Sequence, residues 1–554
     1  MDSFIVSVMG GSPFEVAKGT TYEKLSEKYS DMFKAPILLA KCGNKLKELS
    51  SKIDESGDVE FFDVTFDEGL RVHQRTISFI MIRACKLLLG DDAHILVEHS
   101  LKKNLYCEIR KDGFVIDEAF LKRLDEKMRE FISMDIPIVK EAFRRSEATE
   151  IVRRFGMEDK VKLFKYRRAS NITLYRMDNF YDYFYGYMAP STGRIKVFEL
   201  CLCERGFLIK SPKRGDPCEV LPYEHPEKIS KMFIDQMEWI AMMGIVNVSD
   251  LNDAICEGRF GDIVRINEAM HEKKIAEIAD EVYTRRSNLK LVLVAGPSSS
   301  GKTTFAQRLS LQLRINGINP YVISMDDYFI NREDTPLDEH GKHDFENINA
   351  LDIDLFNSDL KKLVAGETVE LPAYNFITGK REYNGRIIKL HKDEILLVEG
   401  IHGLNEELTS LVPCENKFKI YISAITQLNI DDHNRISTSD SRLLRRIVRD
   451  YNFRGNKAAA TIDLWPYVTR GEARNIFPYQ ENADVVFNSA TFYELSVLKT
   501  FVEPLLFSID ESMPEYITAK RLIKFLDYFL AADYGEVPRN SILREFIGGS
   551  VFKV

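Results

Sequence analysis

The pattern of apolar and polar positions changes near residue 288. Beyond it, short apolar runs alternate with segments of helical periodicity, and the helix predicted over 302–316 is followed by Gly317. Strands separated by helices in this way are typical of an α/β fold with a parallel sheet, whose ligands bind at the carboxyl ends of the strands. The strands predicted for this sheet cover 289–295, 320–325, 394–399, 418–423 and 484–488.

The first part of the chain has a mixed pattern. Apolar alternation over 4–8 and 61–64, with a helical segment over 22–32, predicts a small α+β module of the β-grasp type. A longer helical pattern over 74–89 ends at Gly90, where a C-terminal cap is expected. The first part of the chain is therefore expected to differ in class from the parallel sheet.

The 554 residues are too many for one hydrophobic core and are expected to form about three or four domains. A helical stretch is predicted over 226–284, and the last sixty residues are also helical in pattern. We predict a β-grasp module (1–64), a second α+β domain (65–212), a helical linker (213–287), the parallel-sheet domain (288–490) and a C-terminal helical extension (491–554).

The composition limits the class of protein. A formal net charge of −9 argues against a protein that coats nucleic acid over its whole surface. The eight cysteines are scattered without a C-x-x-C pair, which favours free thiols over a disulfide framework or a zinc site. No apolar run reaches the roughly 18 residues of a membrane-spanning helix, so we expect a cytoplasmic protein without a membrane partner.

The strongest chemical signal follows the first strand of the predicted sheet. Gly296, Gly301, Lys302 and Thr303 match the phosphate-loop pattern G-x-x-x-x-G-K-[ST] between a strand and a helix. The glycines let backbone N–H groups point at an anion, and the N-terminus of the helix adds its dipole. Lys302 supplies a mobile charge for phosphates, and the Thr303 hydroxyl is placed to ligate Mg²⁺. The predicted nucleotide-binding residues of the loop are Gly296, Pro297, Ser298, Ser299, Ser300, Gly301, Lys302, Thr303 and Thr304.

Acidic residues end two strands near this loop. Asp326 and Asp327 follow the strand over 320–325, where a carboxylate can orient an acceptor hydroxyl and take its proton during phosphoryl transfer. Aspartate is also a favoured helix start, so a capping role stays open for this pair. Glu399 ends the strand over 394–399, where an acid commonly serves a metal ion or its water shell.

An arginine-rich helix is predicted further along the chain. Arg442, Arg446 and Arg449 share one face at helical spacing, and Arg454 follows them. Such a face can close over a triphosphate and neutralise the charge that develops between donor and acceptor. A solvated basic helix is the alternative.

These motifs follow one another as they do in a known family. Residues 288–490 resemble the uridine kinase and phosphoribulokinase family of P-loop kinases. Besides the phosphate loop and the arginine helix over 445–455, the resemblance rests on Ser-Met-Asp-Asp-Tyr-Phe (324–329), Asp-Phe-Glu-Asn-Ile-Asn-Ala-Leu-Asp (344–352), Pro-Ala-Tyr-Asn-Phe (372–376) and Val-Glu-Gly-Ile (398–401).

The resemblance implies roles for individual residues. Asp326 is implied as the general base and Glu346 as the partner of a ribose hydroxyl. Tyr374 and Phe376 are implied to pack on a nucleobase, although ordinary strand packing stays open for this aromatic pair. The implied phosphate contacts are Lys302, Arg446, Arg449 and Arg454, and the implied metal ligands are Thr303 and Glu399.

The chain also departs from the family pattern. Residues 377–380 read Ile-Thr-Gly-Lys where a histidine is usual, and Glu346 stands where an aspartate is usual. Asn456 occupies a position where the family commonly has another arginine. These departures leave the choice of nucleobase open.

Residues 1–212 resemble the amino-terminal half of threonyl-tRNA synthetase, a TGS-like β-grasp module followed by an editing-type domain. The segment 182–193 is similar to the second motif of the editing domain, and 75–89 is similar to its first helix. Without thiolate or imidazole groups, the site is implied to be degenerate and this half to be a binding or regulatory scaffold. The expected positions of the synthetase cysteine and histidines are held by Phe184, Met188, Arg75 and Phe79.

A basic cluster lies in this synthetase-like half. It is predicted to contact RNA or to form the solvated face of a strand. Its members are Lys160, Lys162, Lys165, Arg167 and Arg168.

Together, the motifs and the resemblance predict a kinase that uses ATP and Mg²⁺. The resemblance implies transfer of the γ-phosphate to the 5′-hydroxyl of a nucleoside, uridine or cytidine. Two alternatives stay open: a kinase for another small hydroxylated metabolite, such as a sugar phosphate, and a regulatory P-loop NTPase that senses tRNA. RNA binding and homo-oligomer formation stay open as well.

Overall fold

The computed structural model describes residues 3–101, 103–223, 225–338, 341–391 and 394–552. The ends of the first and last predicted regions, residues 1–2 and 553–554, lie outside the described residues. Within the described ranges, no helix has both the length and the apolar character that a membrane crossing requires.

A mixed five-stranded sheet lies at the start of the chain, where the sequence pattern predicted a small α+β module. Its strand order is β2-β1-β5-β3-β4, with β1 and β5 parallel and the other pairs antiparallel. The helix predicted over 22–32 is shorter, because a 3-10 helix without a buried residue covers Glu27–Met32. The elements are β1 (Ser3–Val8), β2 (Phe14–Ala17), α1 (Tyr22–Ser26), β3 (Leu39–Cys42), β4 (Lys45–Glu48) and β5 (Gly57–Phe62).

The synthetase-like half continues with two antiparallel sheets, of order β11-β12-β7-β6 and β10-β9-β8. The helix predicted over 74–89 begins seven residues earlier, because Leu70 and Val72 are also buried, and it ends before Gly90. The elements are α2 (Asp67–Leu89), β6 (His94–Leu101), β7 (Asn104–Arg110), α3 (Glu118–Ser133), β8 (Ile138–Arg144), α4 (Arg145–Arg154), α5 (Glu158–Lys165), β9 (Asn171–Met177), β10 (Phe180–Asp182), β11 (Glu199–Cys203) and β12 (Gly206–Lys210).

The basic cluster lies on α5 and the turn after it, so the prediction of a strand face was wrong. Leu163 and Phe164 are buried on α5, which gives this segment an amphipathic helical pattern. Lys160 is completely buried, and this burial removes it from any RNA contact or solvated face. Lys162 and Lys165 form ion pairs with acidic residues of the helical linker, at 3.1 and 2.6 Å.

Three helices form the segment predicted as one helical stretch over 226–284. They are separated at Gly244 and Gly258, whose φ angles of +68° and +73° are left-handed and incompatible with a continuous α-helix. The helices are α6 (Glu227–Met242), α7 (Val248–Cys256) and α8 (Phe260–Thr284).

A five-stranded parallel sheet follows, as the alternation of strands and helices predicted. Its strand order is β14-β17-β13-β18-β21, and all of its neighbouring strands are parallel. The elements are β13 (Leu291–Ala295), α9 (Lys302–Ile315), β14 (Asn319–Ser324), α10 (Ile353–Val364), β15 (Thr368–Asn375), β16 (Lys380–Lys389), β17 (Glu394–Gly400), β18 (Lys417–Ser423), β19 (Asn429–Asp431), β20 (Asn434–Arg435), α11 (Thr438–Arg454), α12 (Ala458–Asn475) and β21 (Val485–Asn488).

The C-terminal extension is helical, as predicted, and packs against the rest of the chain. Its helices are α13 (Glu494–Phe507), α14 (Tyr516–Leu526) and α15 (Arg544–Ile547). Buried apolar residues from α2 through α15 form one continuous cluster, so the region 65–212, the parallel sheet and the extension share a core, whereas the first sheet has its own.

A buried polar network connects the β19–β20 hairpin to the synthetase-like half. Lys160 lies 2.9 Å from Asp431 and 3.4 Å from Asp182. His433 lies 2.7 Å from Asp182. Because Asp431 and His433 belong to the hairpin, the Lys160–Asp431 and His433–Asp182 contacts form only when the two halves are packed together.

Candidate active site

The parallel strands end side by side at one edge of the sheet. Ser324 of β14 lies opposite Glu399 of β17, and Ala295 of β13 lies between Gly400 of β17 and Tyr421 of β18. Residues that follow these strands therefore meet at the edge where ligands bind in such sheets. This register brings the phosphate loop toward the acids that end β14 and β17.

The conformation of the loop between β13 and α9 requires both glycines of the phosphate-loop pattern. A Cβ at Gly296 would overlap the carbonyl oxygen of Ile422. Gly301 is the N-cap of α9 and has a φ of +82°, a left-handed conformation that favours glycine. The N-terminus of α9, where the first N–H groups of a helix lack intrahelical partners, therefore begins directly at the loop.

Two arginines of α11 contact Ser298 of this loop. The Arg446 guanidinium donates to the Ser298 hydroxyl at 2.8 Å, and Arg442 donates to the Ser298 carbonyl at 3.0 Å. Arg442 is also buried in an ion pair with Glu472 of α12. Both side chains are therefore engaged with the loop, rather than lying on a solvated basic face.

Arg445 holds the next residue of the loop. Its guanidinium is buried and donates to the carbonyl oxygen of Ser299 at 3.3 Å. Glu494 of α13 neutralises this charge at 2.6 Å. Arg445 therefore fixes the loop backbone from the side of the protein core.

Arg449 and Arg454 converge on Asp450 instead of the loop. Arg449 lies 2.9 Å from the Asp450 carboxylate, and Arg454 lies 3.9 Å from it. The Arg454 guanidinium also stands 5.2 Å from the ring centroid of Phe376. Burial and the charge of Arg449 lower the pKa of Arg454 to about 10, so this side chain is held in a partly desolvated, positive environment.

Several hydroxyl groups at the loop fit a bound phosphate and metal ion. The Oγ atoms of Ser299 and Ser300 and the Oγ1 of Thr304 are buried and have no hydrogen-bond partner among the described residues. The Thr303 hydroxyl donates to Glu399 at 3.4 Å, so the two predicted metal ligands lie together. Mg²⁺ needs few protein ligands of this kind, since phosphate oxygens and waters complete its shell.

Glu399 is a buried carboxyl group at the centre of the strand edge. It accepts a hydrogen bond from the Ser324 hydroxyl at 2.9 Å. Burial, together with the nearby charge of Asp326, raises the pKa of Glu399 to about 7, although Lys302 opposes this shift. The protein thus disfavours the charged form of this acid, and a bound cation would favour it.

Glu346 lies in the same cluster. A Cβ at Gly471 of α12 would overlap its side chain, so this glycine lets α12 approach closely. One carboxyl oxygen of Glu346 is buried without a hydrogen-bond partner among the described residues. Burial and the charge of Glu472 raise the pKa of Glu346 to about 7, while Arg446 and Lys302 oppose the shift. An orphan acceptor at this position fits a hydroxyl donor from a ligand.

The predicted aromatic pair lies at the end of the β15–β16 hairpin. Tyr374 and Phe376 meet edge to face, with ring centroids 5.1 Å apart. Phe376 is 46% exposed, whereas Tyr374 is buried and its hydroxyl has no hydrogen-bond partner among the described residues. Core packing therefore accounts for Tyr374 in part but leaves a face of Phe376 open.

The adjacent residues Asp326 and Asp327 differ in their interactions. The Arg386 guanidinium of β16 lies 3.2 Å from the Asp327 carboxylate. Asp326, in contrast, influences the pKa values of Glu346, Glu399 and Arg454. Of the two adjacent aspartates, Asp326 is thus the one placed electrostatically within the cluster.

Three residues of this region were not predicted from the sequence. His402 is buried after β17, and burial with the nearby Lys302 charge lowers its pKa to about 4. Glu472 accepts the Ser298 N–H at 2.9 Å, and Glu545 accepts the Thr304 N–H at 3.1 Å. Only His402 follows a recognised motif closely enough for the sequence to have signalled it.

The phosphoribulokinase/uridine kinase family model matches residues 291–496. A uridine kinase from Borrelia duttonii is 32% identical over 224 residues, which are 39% of this chain and 97% of that kinase. The chain belongs to this family. The match covers the parallel sheet, the phosphate loop and the arginine helix.

The family region is preceded by a segment similar to another class of protein. A threonine–tRNA ligase from Syntrophotalea carbinolica is 26% identical over 195 residues, which are 35% of this chain and 31% of the ligase. The chain thus spans about a third of the length of the ligases that it matches.

A D-glycerate 3-kinase structure from Cryptococcus neoformans is 11% identical, with 46% of this chain and 87% of that chain covered and a TM-score of 0.23.

Proposed function

We propose that this family member is an ATP-dependent kinase that phosphorylates the 5′-hydroxyl of a nucleoside, uridine or cytidine. The observation that carries the proposal is the meeting of the phosphate loop, Asp326, Glu346 and Glu399 at one strand edge. Family membership supports the phosphoryl transfer, and the similarity to uridine kinases supports the choice of acceptor.

The phosphates of the donor are assigned to the loop and to α11. Backbone N–H groups at the start of α9 and the Lys302 ammonium would bind the phosphate oxygens. Arg446 already lies at the loop, whereas Arg449 and Arg454 would leave Asp450 to reach a phosphate. Thr303 and Glu399 would hold Mg²⁺, which when bound neutralises charge on the β- and γ-phosphates.

Asp326 is assigned as the general base. It would orient the acceptor hydroxyl and take its proton as the hydroxyl oxygen bonds to the γ-phosphorus and the bond to the bridging oxygen breaks. Glu346 would accept a hydrogen bond from a ribose hydroxyl through its unpartnered oxygen. Phe376, with its exposed face, would pack against the base.

Turnover across a panel of acceptors tests the substrate class. ATP consumption with Mg²⁺ should rise with uridine or cytidine and stay at background with sugar phosphates. Turnover of a sugar phosphate alone would establish the alternative, a kinase for another small hydroxylated metabolite. This alternative stays open because Gly379 and Glu346 depart from the family pattern. Turnover of none of these acceptors would contradict the proposal.

The tRNA-sensing alternative stays open through the similarity to threonine–tRNA ligases, although one lysine of the basic cluster is withdrawn from the surface. Lys160 is buried, and Lys162 and Lys165 are paired with Asp250 and Asp253. RNA binding through another surface of the synthetase-like half is measured by tRNA affinity as a function of salt, where a steep slope would indicate phosphate contacts.

The division of the chain into five regions and a cytoplasmic location remain part of this proposal. Limited proteolysis tests the division, because cleavage is expected between the regions.

A further inference from the structure

A small cavity lies where the synthetase-like half meets the kinase region and the C-terminal extension. Its volume is about 90 Å³, and four arginines line it. Arg71 and Arg75 are one turn apart on α2, Arg435 is on β20 and Arg521 is on α14. We call this cavity the arginine pocket. It is distinct from the phosphate loop and has no role in the function proposed above.

The positive charge of the arginine pocket is only partly compensated. Arg521 forms an ion pair with Asp440 at the start of α11. Arg75 donates a hydrogen bond to the carbonyl oxygen of Tyr187 at 2.8 Å. Within the described ranges of the chain, the side chains of Arg71 and Arg435 have neither a hydrogen bond nor an ion pair. Among the residues that line the pocket, four guanidinium groups face one carboxylate, that of Asp440.

The lowered pKa values of two arginines in the pocket reflect the same excess of positive charge. The charge of Arg521, with burial, lowers the pKa of Arg71, although Asp440 and Glu68 oppose this shift. Burial lowers the pKa of Arg435 as well. Partly desolvated like charges without partners raise the free energy of the folded state, and a bound anion would relieve this repulsion.

We propose that the arginine pocket binds a single phosphate group, either as free phosphate or as the phosphate of a nucleoside monophosphate. Guanidinium groups match phosphate oxygens with two parallel N–H bonds, which the free donors of Arg71 and Arg435 can supply. The pocket is smaller than the roughly 300 Å³ or more of cavities that enclose a whole drug-sized ligand. Any nucleoside attached to the phosphate would therefore remain outside it.

The arginine pocket lies against the first turn of α11, the helix that contacts the phosphate loop. Asp440, which lines the pocket, lies two residues before Arg442 on α11, and Arg442 and Arg446 contact Ser298 of the phosphate loop. An anion that competes with Asp440 for Arg521 acts on the first turn of this same helix. The pocket thus links the synthetase-like half to the helix that holds the loop.

Titration calorimetry on the full chain tests the proposal. The Lys302→Ala variant is the parent, because it weakens anion binding at the phosphate loop and separates this test from that of the kinase proposal. Inorganic phosphate and uridine 5′-monophosphate are titrated separately. At least one should bind saturably, and Arg71→Gln or Arg435→Gln should weaken that binding about tenfold or more. The ligand that binds more tightly identifies the source of the phosphate group.

Arg83→Gln is the matched control. Arg83 lies on the same helix but donates to Asn179 at 2.7 Å, outside the arginine pocket. It should leave binding unchanged. Phosphate should also raise the Tm of the parent and of the Arg83→Gln variant, but not that of the Arg71→Gln/Arg435→Gln double variant. Absence of saturable binding of both anions, or equal losses in the Arg71→Gln and Arg83→Gln variants, would overturn the proposal.

Discussion

At the residue scale, Glu346, the proposed partner of a ribose hydroxyl, carries a cost to stability. Its pKa is raised to about 7 from an ordinary value of 4.5, chiefly because the carboxyl group is buried. Ionisation is therefore less favourable in the folded chain than in the unfolded chain. The stabilising effect of the neutral acid is complete below about pH 4.5 and is lost as the pH rises through about 7.

The variant Glu346→Gln should remove the loss of stability that accompanies the ionisation of Glu346. Its free energy of unfolding, measured by urea denaturation, should fall less between pH 5 and pH 8 than that of the parent chain, because the amide does not ionise. The exposed Glu367→Gln serves as the control and should keep the parent's dependence on pH. The same fall in the Glu346→Gln variant as in the parent would contradict the assignment.

At the element scale, the C-terminal extension reaches the phosphate loop. The Glu545 carboxylate accepts the N–H of Thr304 in the first turn of α9, and Ile542 lies where a Cβ on Gly301 would stand. The carboxylate therefore occupies a donor at the N-terminus of the helix to which nucleotide phosphates are assigned. Two negatively charged groups would compete there for the same positive helix end.

The variant Glu545→Gln should therefore strengthen nucleotide binding. Removal of one charge at a helix N-terminus corresponds to about 0.3–1 kcal/mol, or about a 2- to 5-fold lower Kd for ATP. Titration calorimetry with a non-hydrolysable ATP analogue measures this change. Glu536→Gln, on an exposed turn of the same extension, should leave Kd unchanged. An unchanged or higher Kd in the Glu545→Gln variant would show that the carboxylate does not compete.

The elements of the parallel sheet could be predicted because their signals are local. The run 291–295 is wholly buried, and the phosphate-loop pattern marks the start of α9 directly. The role of Glu545 could not be predicted in the same way, since 241 residues separate it from Thr304. The burial of Lys160 in the basic cluster could not be predicted either. The spacing of the cluster fits a solvated face as well as a buried one, and only the tertiary packing shows that Lys160 is buried.

At the scale of the whole molecule, Lys160 connects the two halves. Its ammonium lies among the carboxylates of Asp431, Asp182 and Asp159, and together they hold the pKa of Lys160 above its usual range despite complete burial. Removal of the ammonium would take away the cation that Asp431 and Asp159 share, while Asp182 would keep its contact with His433. Such losses cost far more than the removal of an exposed ion pair.

The variant Lys160→Met should thus destabilise the chain by about 3–5 kcal/mol in urea denaturation. The control is Lys162→Met, whose ion pair with Asp250 involves a lysine side chain that is 58% exposed. It should cost no more than about 1 kcal/mol. Similar losses for the two variants would show that the buried network does not hold the halves together.

The central claim is that the Asp326 carboxylate serves phosphoryl transfer at a loop that binds ATP. The most direct measurement compares Asp326→Asn with Asp327→Asn, the neighbouring aspartate that is paired with Arg386. With the best acceptor from the panel, kcat should fall by about 100-fold or more in Asp326→Asn while Kd for ATP changes little, and Asp327→Asn should retain turnover. Full turnover by Asp326→Asn, or its loss only in Asp327→Asn, would contradict the account.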